Sequence, residues 1–236
     1  MKKIKLAIIP ARGGSTRIHK KNIRLFHGKP IIAYTIETLL ASDLFDNIIV
    51  STDSIEIKEV AESCGAEVPF LRDDKLSDSY TPTVPVIKDA IEKFEKLYDQ
   101  NIESVCCMYA IAPFISPNDI KSAYSLYDEN SPKGFVTCST EFTFPFQRGF
   151  FFEEEKMKLI QPEHYWTRSQ DLIKAYHEAG TFWIGSTESF RKEMPFVSED
   201  SLPYFIEPWR VQDIDYPEDW ERAELLFEVL KKRKIL

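Results

Sequence analysis

The stretch Ile4-Lys5-Leu6-Ala7-Ile8-Ile9-Pro10-Ala11-Arg12-Gly13-Gly14-Ser15-Thr16-Arg17-Ile18-His19-Lys20-Lys21-Asn22 joins a short apolar run to a basic, glycine-containing loop. Residues 4–9 have the composition of a buried strand, which would anchor the loop to a core. Two adjacent glycines allow a sharp backbone turn that aims N–H groups at an anion. Arg12, Arg17 and Lys21 can add charge-assisted bonds to phosphate oxygens. The loop is not a Walker A motif, because Gly28-Lys29 is followed by Pro30 rather than Ser or Thr, and it contains no GxGxxG. A solvated basic tail is the plainer alternative. Charge distribution favours a polyanion site: residues 1–36 hold nine Lys or Arg and no acid, leaving 21 basic against 38 acidic groups downstream.

Outward from that stretch, strand and helix signals alternate. A helix is expected from about Pro30, with Pro in its first turn and Ile32, Ile36, Leu39 and Leu40 facing inward. A second strand covers 47–51, and Asp53 or Ser54 caps a helix carrying Ile57, Val60, Ala61 and Cys64 on one face. Residues 67–71 read as a third strand. A helix lined by Ile87, Ala90, Ile91, Phe94 and Leu97 follows, then an apolar fourth strand over 104–109. Ser116-Pro117-Asn118-Asp119 is a helix start, and 134–139 a fifth strand. The alternation stops over 141–174, an aromatic stretch with a hairpin expected between 150 and 160. It resumes at 181–184 and ends in a helix from about Tyr216 to Lys234. Repeated βαβ units imply one α/β domain over 1–236 with a mostly parallel sheet, and 141–174 as an insertion. Ligands of such sheets sit at the C-terminal strand ends, here 10–22, 52–53, 72–83, 109–114 and near Asp213.

Composition bounds the partners. A net charge of −8 argues against a general nucleic-acid binder, and no apolar run approaches a membrane span. Lys2, Lys3 and Lys5 precede an apolar run too short for a signal peptide. Cys64, Cys106, Cys107 and Cys138 form no CxxC pair and read as reduced thiols of a cytoplasmic protein.

The last informative segment is Arg210-Val211-Gln212-Asp213-Ile214-Asp215-Tyr216-Pro217-Glu218-Asp219-Trp220. Read as a strand end, it points Asp213 and Asp215 the same way, toward one cation. Their hard oxygens suit Mg²⁺, which shares its shell with waters and phosphates. Helix capping explains the pair poorly, since Pro217 at the first helical position puts the cap on Tyr216. Glu218 and Asp219 are accounted for by the helix dipole.

Ala11-Arg12-x-x-Ser15 with Lys21-Asn22 resembles the nucleotide loop of cytidylyltransferases acting on acidic sugars, the CMP-sialic acid synthetase type. The resemblance runs over nearly the whole chain, through Val50-Ser51-Thr52-Asp53, Gly65-Ala66-Glu67-Val68, Leu71-Arg72 and Ala112-Pro113. It is most similar to the subgroup acting on pseudaminic acid through Tyr109-Ala110-Ile111-Ala112-Pro113-Phe114, Pro145-Phe146-Gln147-Arg148, Gln161-Pro162-Glu163-His164, Thr167-Arg168-Ser169-Gln170-Asp171-Leu172 and Tyr176-His177-Glu178-Ala179-Gly180. The resemblance implies a Rossmann-like three-layer nucleotidyltransferase fold with a projecting dimerisation insertion. It implies transfer of CMP from CTP to the anomeric hydroxyl of an acidic nine-carbon sugar, with release of pyrophosphate. Ala11, Arg12, Gly13, Ser15, Lys21, Asn22, Arg72 and Ala112 would bind the nucleotide. Asp213 and Asp215 would bind the divalent ion. Arg12 and Lys21 would stabilise charge on the leaving pyrophosphate. Thr16 departs from the Lys that relatives often carry, and Ser15-Thr16-Arg17 is similar instead to the KDO cytidylyltransferases.

An acidic sugar needs a cation for its carboxylate and donors for its hydroxyls. Tyr109, Gln147, Arg148, Arg168, Gln170 and His177 are the candidates, with His164 and Tyr176 beside them; an Arg- and aromatic-rich insertion serves equally as a dimer interface. The family implies both, in a homodimer whose insertion closes the partner's sugar pocket. Tyr109 stands where sialic acid enzymes commonly have Gln, which implies a different nine-carbon acid. Tyr165, Trp166, Phe182 and Trp183 read as packing. The competing readings are a sialic, legionaminic or KDO cytidylyltransferase, and a glycosyltransferase that uses Asp-x-Asp mid-chain.

Overall fold

The computed structural model describes residues 3–233 and Ile235. The first strand, β1 (Lys3–Pro10), runs into the basic loop. A two-residue ribbon follows, β2 (Leu25–Phe26) against β3 (Lys29–Pro30), closed through Gly28 at φ 89°. Then come α1 (Ile31–Ser42), β4 (Asn47–Ser51), α2 (Ile55–Ser63), α3 (Thr83–Tyr98), β5 (Asn101–Met108) and α4 (Pro117–Asn130). The second half holds β6 (Phe135–Glu141), the hairpin β7 (Phe150–Glu153) and β8 (Lys156–Leu159), β9 (Tyr176–Ser186), α5 (Thr187–Arg191), β10 (Leu202–Phe205) and α6 (Pro217–Lys232). The expected helix end at Lys234 lies outside the described residues.

Six strands form one sheet in the order β10-β6-β9-β5-β1-β4. β1 pairs in parallel with β4 and β5, and β10 in parallel with β6. β9 is antiparallel to both β5 and β6, so the sheet is mostly parallel, as the repeated strand–helix units imply. Alternate strand residues face opposite helix layers. Ala7, Ile9, Cys106, Met108, Val136 and Cys138 share a core with Ile32 and Ile36 of α1, Ile57 of α2 and Ile120 of α4. Leu6, Ile8, Val105, Cys107 and Trp183 share another with Ile87, Ile91 and Phe94 of α3 and Phe190 of α5. Truncating one of the buried Leu, Ile or Phe residues among these to Ala would cost about 2–5 kcal/mol.

A third, smaller cluster positions the loops. Ile18, Phe26, Ile31, Phe114 and Ile214 pack on Trp220, Ala223, Phe227 and Leu230 of α6. One apolar contact set therefore holds the basic loop, the segment after β5 and the residue between Asp213 and Asp215.

Several expectations are corrected. Residues 67–71 make only two isolated parallel bridges, Ile49↔Glu67 and Thr52↔Leu71, because Pro69 between them has no N–H to donate. Pro30 is the N-cap of α1 rather than part of its first turn. Leu40 and Leu97 are exposed, each turned off its helix's buried face. β10 had no expected counterpart, its Leu202-Pro203-Tyr204-Phe205 being short and proline-interrupted, as an edge strand tolerates. Asp213 and Asp215 lie on no strand: residues 211–216 have no regular structure. Phe182 and Trp183 are packed in the core, but Tyr165 and Trp166 are exposed, Trp166 by 88%.

Candidate active site

Where β1 and β5 end, their loops border a cleft of about 330 Å³. Pro10, Arg12, Ser15, Thr16, Arg17, Ile18, Lys21 and Asn22 line it from the basic loop, and Arg72 to Thr83 from the segment before α3. Tyr109, Ala110 and Ile111 follow β5, Gly180 comes from β9, and Gln212 to Asp215 close the far wall. Four cations and three carboxylates face one another there: Arg12, Arg17, Lys21 and Arg72 against Asp78, Asp213 and Asp215.

The basic loop is held from both sides. Ala11 extends the sheet, its N–H donating to Ser51 O at 3.0 Å. Gly13 N–H donates to Asp53 Oδ1 at 2.8 Å, and Asn22 Nδ2 donates to Arg12 O at 2.9 Å. Asp53 thus fastens the loop, while Ser54 caps α2 by accepting from Ile57 N–H. Gly13 and Gly14 are not in the left-handed region. At Gly13 a Cβ would stand 3.0 Å from Ser54 Cβ, a tight approach that favours glycine; Gly14 faces open space.

The charged groups are placed by their neighbours. Arg12 Nη1 donates to Asp78 O at 2.7 Å, fixing the segment whose Asp78 carboxylate accepts from Tyr80 and Thr81. Arg72 is buried, with Nε donating to Ser51 Oγ at 3.1 Å and Nη2 to Ser51 O. Burial lowers its pKa, with the charges of Asp53 and Asp89 working the other way. Lys21 Nζ donates to Ile214 O at 2.7 Å and to Asp215 Oδ1 at 3.0 Å. Arg17 Nη2 lies 2.8 Å from Asp215 Oδ2, with its guanidinium over the Tyr216 ring. Asp215 is therefore matched on both oxygens by loop cations. Asp213 differs: burial, then the charge of Asp215, pushes its carboxyl above the usual range, against the pull of Lys21. Tyr109 donates or accepts at Thr83 Oγ1, 2.7 Å away, and burial pushes its hydroxyl up to about 12.

Among the sequence-derived candidates, Arg12, Ser15, Lys21, Asn22, Arg72, Tyr109, Asp213 and Asp215 converge on this cleft. Ala11 and Ala112 are buried beside it, and Gly13 lines a smaller cavity behind the loop. Gln147, Arg148, Arg168, Gln170 and His177 do not line it. Gln147 Nε2 donates to Ile173 O at 2.6 Å, Arg148 Nη2 to Thr167 O, and Arg168 Nε to Asp171 Oδ2 at 2.7 Å, so these three side chains brace the insertion itself. Sequence reading missed Arg17 as a partner of Asp215, and Thr83 as a partner of Tyr109. The first had a signal in its charge; the second had none.

Two hard-oxygen carboxylates that repel one another beside a basic loop fit a divalent cation. Among the described residues no group of three or more His, Cys, Asp or Glu gathers as a metal site. Such a cation would complete its shell with waters and phosphate oxygens, the habit of Mg²⁺.

Residues 6–202 match the sequence model of a family described as Cytidylyltransferase. The chain belongs to this family. As a cytidylyltransferase it is 44% identical to a pseudaminic acid cytidylyltransferase of Campylobacter jejuni, over 95% of this chain and 96% of that protein. It is 33% identical to a CMP-N,N'-diacetyllegionaminic acid synthase of Legionella pneumophila, over 95% and 96%. Its fold matches the structure of a CMP:2-keto-3-deoxy-manno-octonic acid synthetase complexed with CTP at a TM-score of 0.71, covering 97% of this chain and 99% of that one, at 14% identity. Among the described residues no helix is long and apolar enough to cross a membrane, and all four cysteines of this cytidylyltransferase are free thiols.

Proposed function

We propose that this cytidylyltransferase transfers CMP from CTP to the anomeric hydroxyl of pseudaminic acid, releasing pyrophosphate. The observation that carries the reading is the meeting of the Arg12–Lys21 loop with Asp213 and Asp215 across one cleft. The 44% identity to the Campylobacter jejuni protein supports the choice of sugar.

Arg12, Lys21 and the N–H groups of the basic loop would hold the triphosphate and stabilise the charge that develops on pyrophosphate as it leaves. Asn22 and Arg72, both buried where they line the cleft, are suited to the cytosine. Asp213 and Asp215 would hold Mg²⁺, which when bound supplies charge neutralisation at the phosphates. Arg17 and Lys21 are paired to Asp215 and would hold its carboxylate beside the phosphates that the same cations attract. Tyr109, held by Thr83, forms a wall against which the sugar would lie.

The insertion bears on the sugar and on assembly. Phe144, Phe152, Trp166 and Ile173 are 81%, 73%, 88% and 85% exposed, far more apolar surface than a free arm carries in water. We assign it to a homodimer in which the arm packs on a second copy and brings Arg168, Gln170 and His177 toward that copy's cleft. A cytoplasmic setting agrees with the free thiols.

The test is pyrophosphate release from CTP and Mg²⁺ with pseudaminic, legionaminic, sialic and KDO acids in parallel. Turnover is expected to be fastest with pseudaminic acid. Turnover that is fastest with another acid overturns the sugar assignment, and none with any of the four overturns the reaction.

A further inference from the structure

We propose that Arg210 is a positioning residue that sets Asp213 and Asp215 against the opposite wall of the cleft. This inference rests on the metal reading above. The segment carrying the two carboxylates lacks the restraints a strand would give it. Among the described residues, none of 212–214 makes a backbone–backbone hydrogen bond. It is tied at its far end, where the Asp219 carboxylate of α6 accepts from Asp215 N–H at 3.1 Å and Tyr216 N–H at 2.9 Å. At its near end stands Arg210.

The Arg210 side chain is buried, and all five of its N–H groups are used. Nε and Nη2 donate to Phe114 O at 3.2 and 2.9 Å. Nη1 donates to Asp119 Oδ1 and to Glu207 Oε2, each at 3.1 Å, and Nη2 donates to Asp119 Oδ2. Phe114 ends the stretch whose Tyr109, Ala110 and Ile111 line the cleft. Asp119 belongs to the first turn of α4 and is fixed by Ser116 N–H at 2.7 Å and Tyr204 Oη at 3.2 Å. One guanidinium therefore ties the chain three residues before Asp213 to the end of the segment whose residues 109–111 line the cleft. A buried ion pair is weak as a stability device, often matched by apolar packing, but it fixes geometry well. Its planar fork holds both partners in register, which a lysine cannot do.

The experiment compares wild type, Arg210→Lys and Tyr204→Phe, the last removing a bond to Asp119 without touching Arg210. Three quantities are read: CTP affinity in EDTA by calorimetry, Mn²⁺ affinity of the CTP complex by electron paramagnetic resonance without sugar, and the Mg²⁺ requirement for pyrophosphate release. Outer-shell supports of metal ligands are worth about 10- to 100-fold in metal affinity. Arg210→Lys is expected to keep CTP affinity within about twofold while losing about tenfold in Mn²⁺ affinity, with a Mg²⁺ requirement raised to match. Tyr204→Phe is expected to leave all three unchanged. Wild-type Mn²⁺ affinity in Arg210→Lys overturns the inference. So do equal shifts in the two variants, which would mark general loosening. Should Arg210→Lys fail to fold, Glu207→Ala removes one exposed contact of the fork. It should weaken Mn²⁺ binding by about twofold, and no change overturns the inference. Asp213→Asn separates the two readings: if it binds Mn²⁺ as wild type does, the metal assignment itself has failed.

Discussion

Asp213 and Asp215 share a cleft but stand in opposite electrostatic positions, so only the loss of the Asp215 charge should lower stability. Asp215 is paired with Arg17 and Lys21 at 2.8 and 3.0 Å, with its own side chain 31% exposed. Partly exposed pairs of this kind are worth about 0.2–1 kcal/mol each, so Asp215→Asn should destabilise by about 1 kcal/mol. In a chain of this size that lowers Tm by about 2–4 °C. Asp213 is held above the usual carboxylate range by burial and by Asp215, so its ionised form opposes folding. A raised acid contributes stability at low pH that is lost as pH rises through its folded pKa. At neutral pH Asp213→Asn should therefore leave Tm unchanged or raise it. Both variants should lose turnover. If the lost neutralisation is about 3 kcal/mol of transition-state stabilisation, the rate falls about 100-fold. Differential scanning calorimetry and a pyrophosphate-release assay on the same preparations give both numbers. A larger Tm loss in Asp213→Asn than in Asp215→Asn would refute the assignment of strain to Asp213.

The two loop glycines should also part company. Gly13→Ala brings a Cβ to 3.0 Å from Ser54 Cβ and should cost about 1–3 kcal/mol and weaken CTP binding; Gly14→Ala has no atom within 4 Å and should change Tm little. Thermal shift with and without CTP checks both. Asp119 is held below its ordinary range because the bonds from Arg210 and Ser116 outweigh the opposing effect of burial. That stability is complete above the unfolded Asp pKa of about 3.9 and is lost as pH falls through the lower folded value. Asp119→Asn should be less stable by about 3–5 kcal/mol at pH 7, with the gap to wild type narrowing below about pH 4. A gap constant with pH in urea titrations would contradict this. Charge placed on the arm, as in Phe152→Glu with Trp166→Glu, should yield monomers by light scattering with pyrophosphate release reduced. Unaltered dimers would exclude the arm as the contact.

Much of this architecture could be read from local chemistry. The β1 run and its loop, the Ser54 and Ser116 caps and the hairpin around Glu154 and Glu155 are each decided within a few residues. Features settled by distant partners were not readable. Nothing local tells that β9 runs antiparallel, because that follows from where the chain re-enters the sheet. Apolar content alone suggested a third strand, and a single proline denied it a ladder. The site divides the same way. The loop cations and the carboxylate pair were legible as residue types suited to phosphate and metal. That Lys21 would meet Asp215, 194 positions away, depends on α6 packing over the β2–β3 ribbon. Arg210 gave no sign of its buried role, since an arginine with an acid three residues away on either side reads as a surface residue until its five bonds to Phe114, Asp119 and Glu207 are seen.

The antiparallel course of β9 has one more consequence. β6 leaves the sheet at Glu141 and β9 returns opposite it at Tyr176, with Phe142 N–H donating to Ala175 O at 3.0 Å. The excursion between them begins and ends at one hydrogen-bonded pair, like a cassette clipped into a fixed socket. Lengthening such an excursion is cheap, about 0.6 kcal/mol for each doubling. Descendants of this chain can therefore trade the cassette for a longer, shorter or differently decorated one while the sheet keeps its register. On the function proposed above, acceptor preference and assembly would diverge on that segment while the nucleotide chemistry at the ends of β1 and β5 is kept.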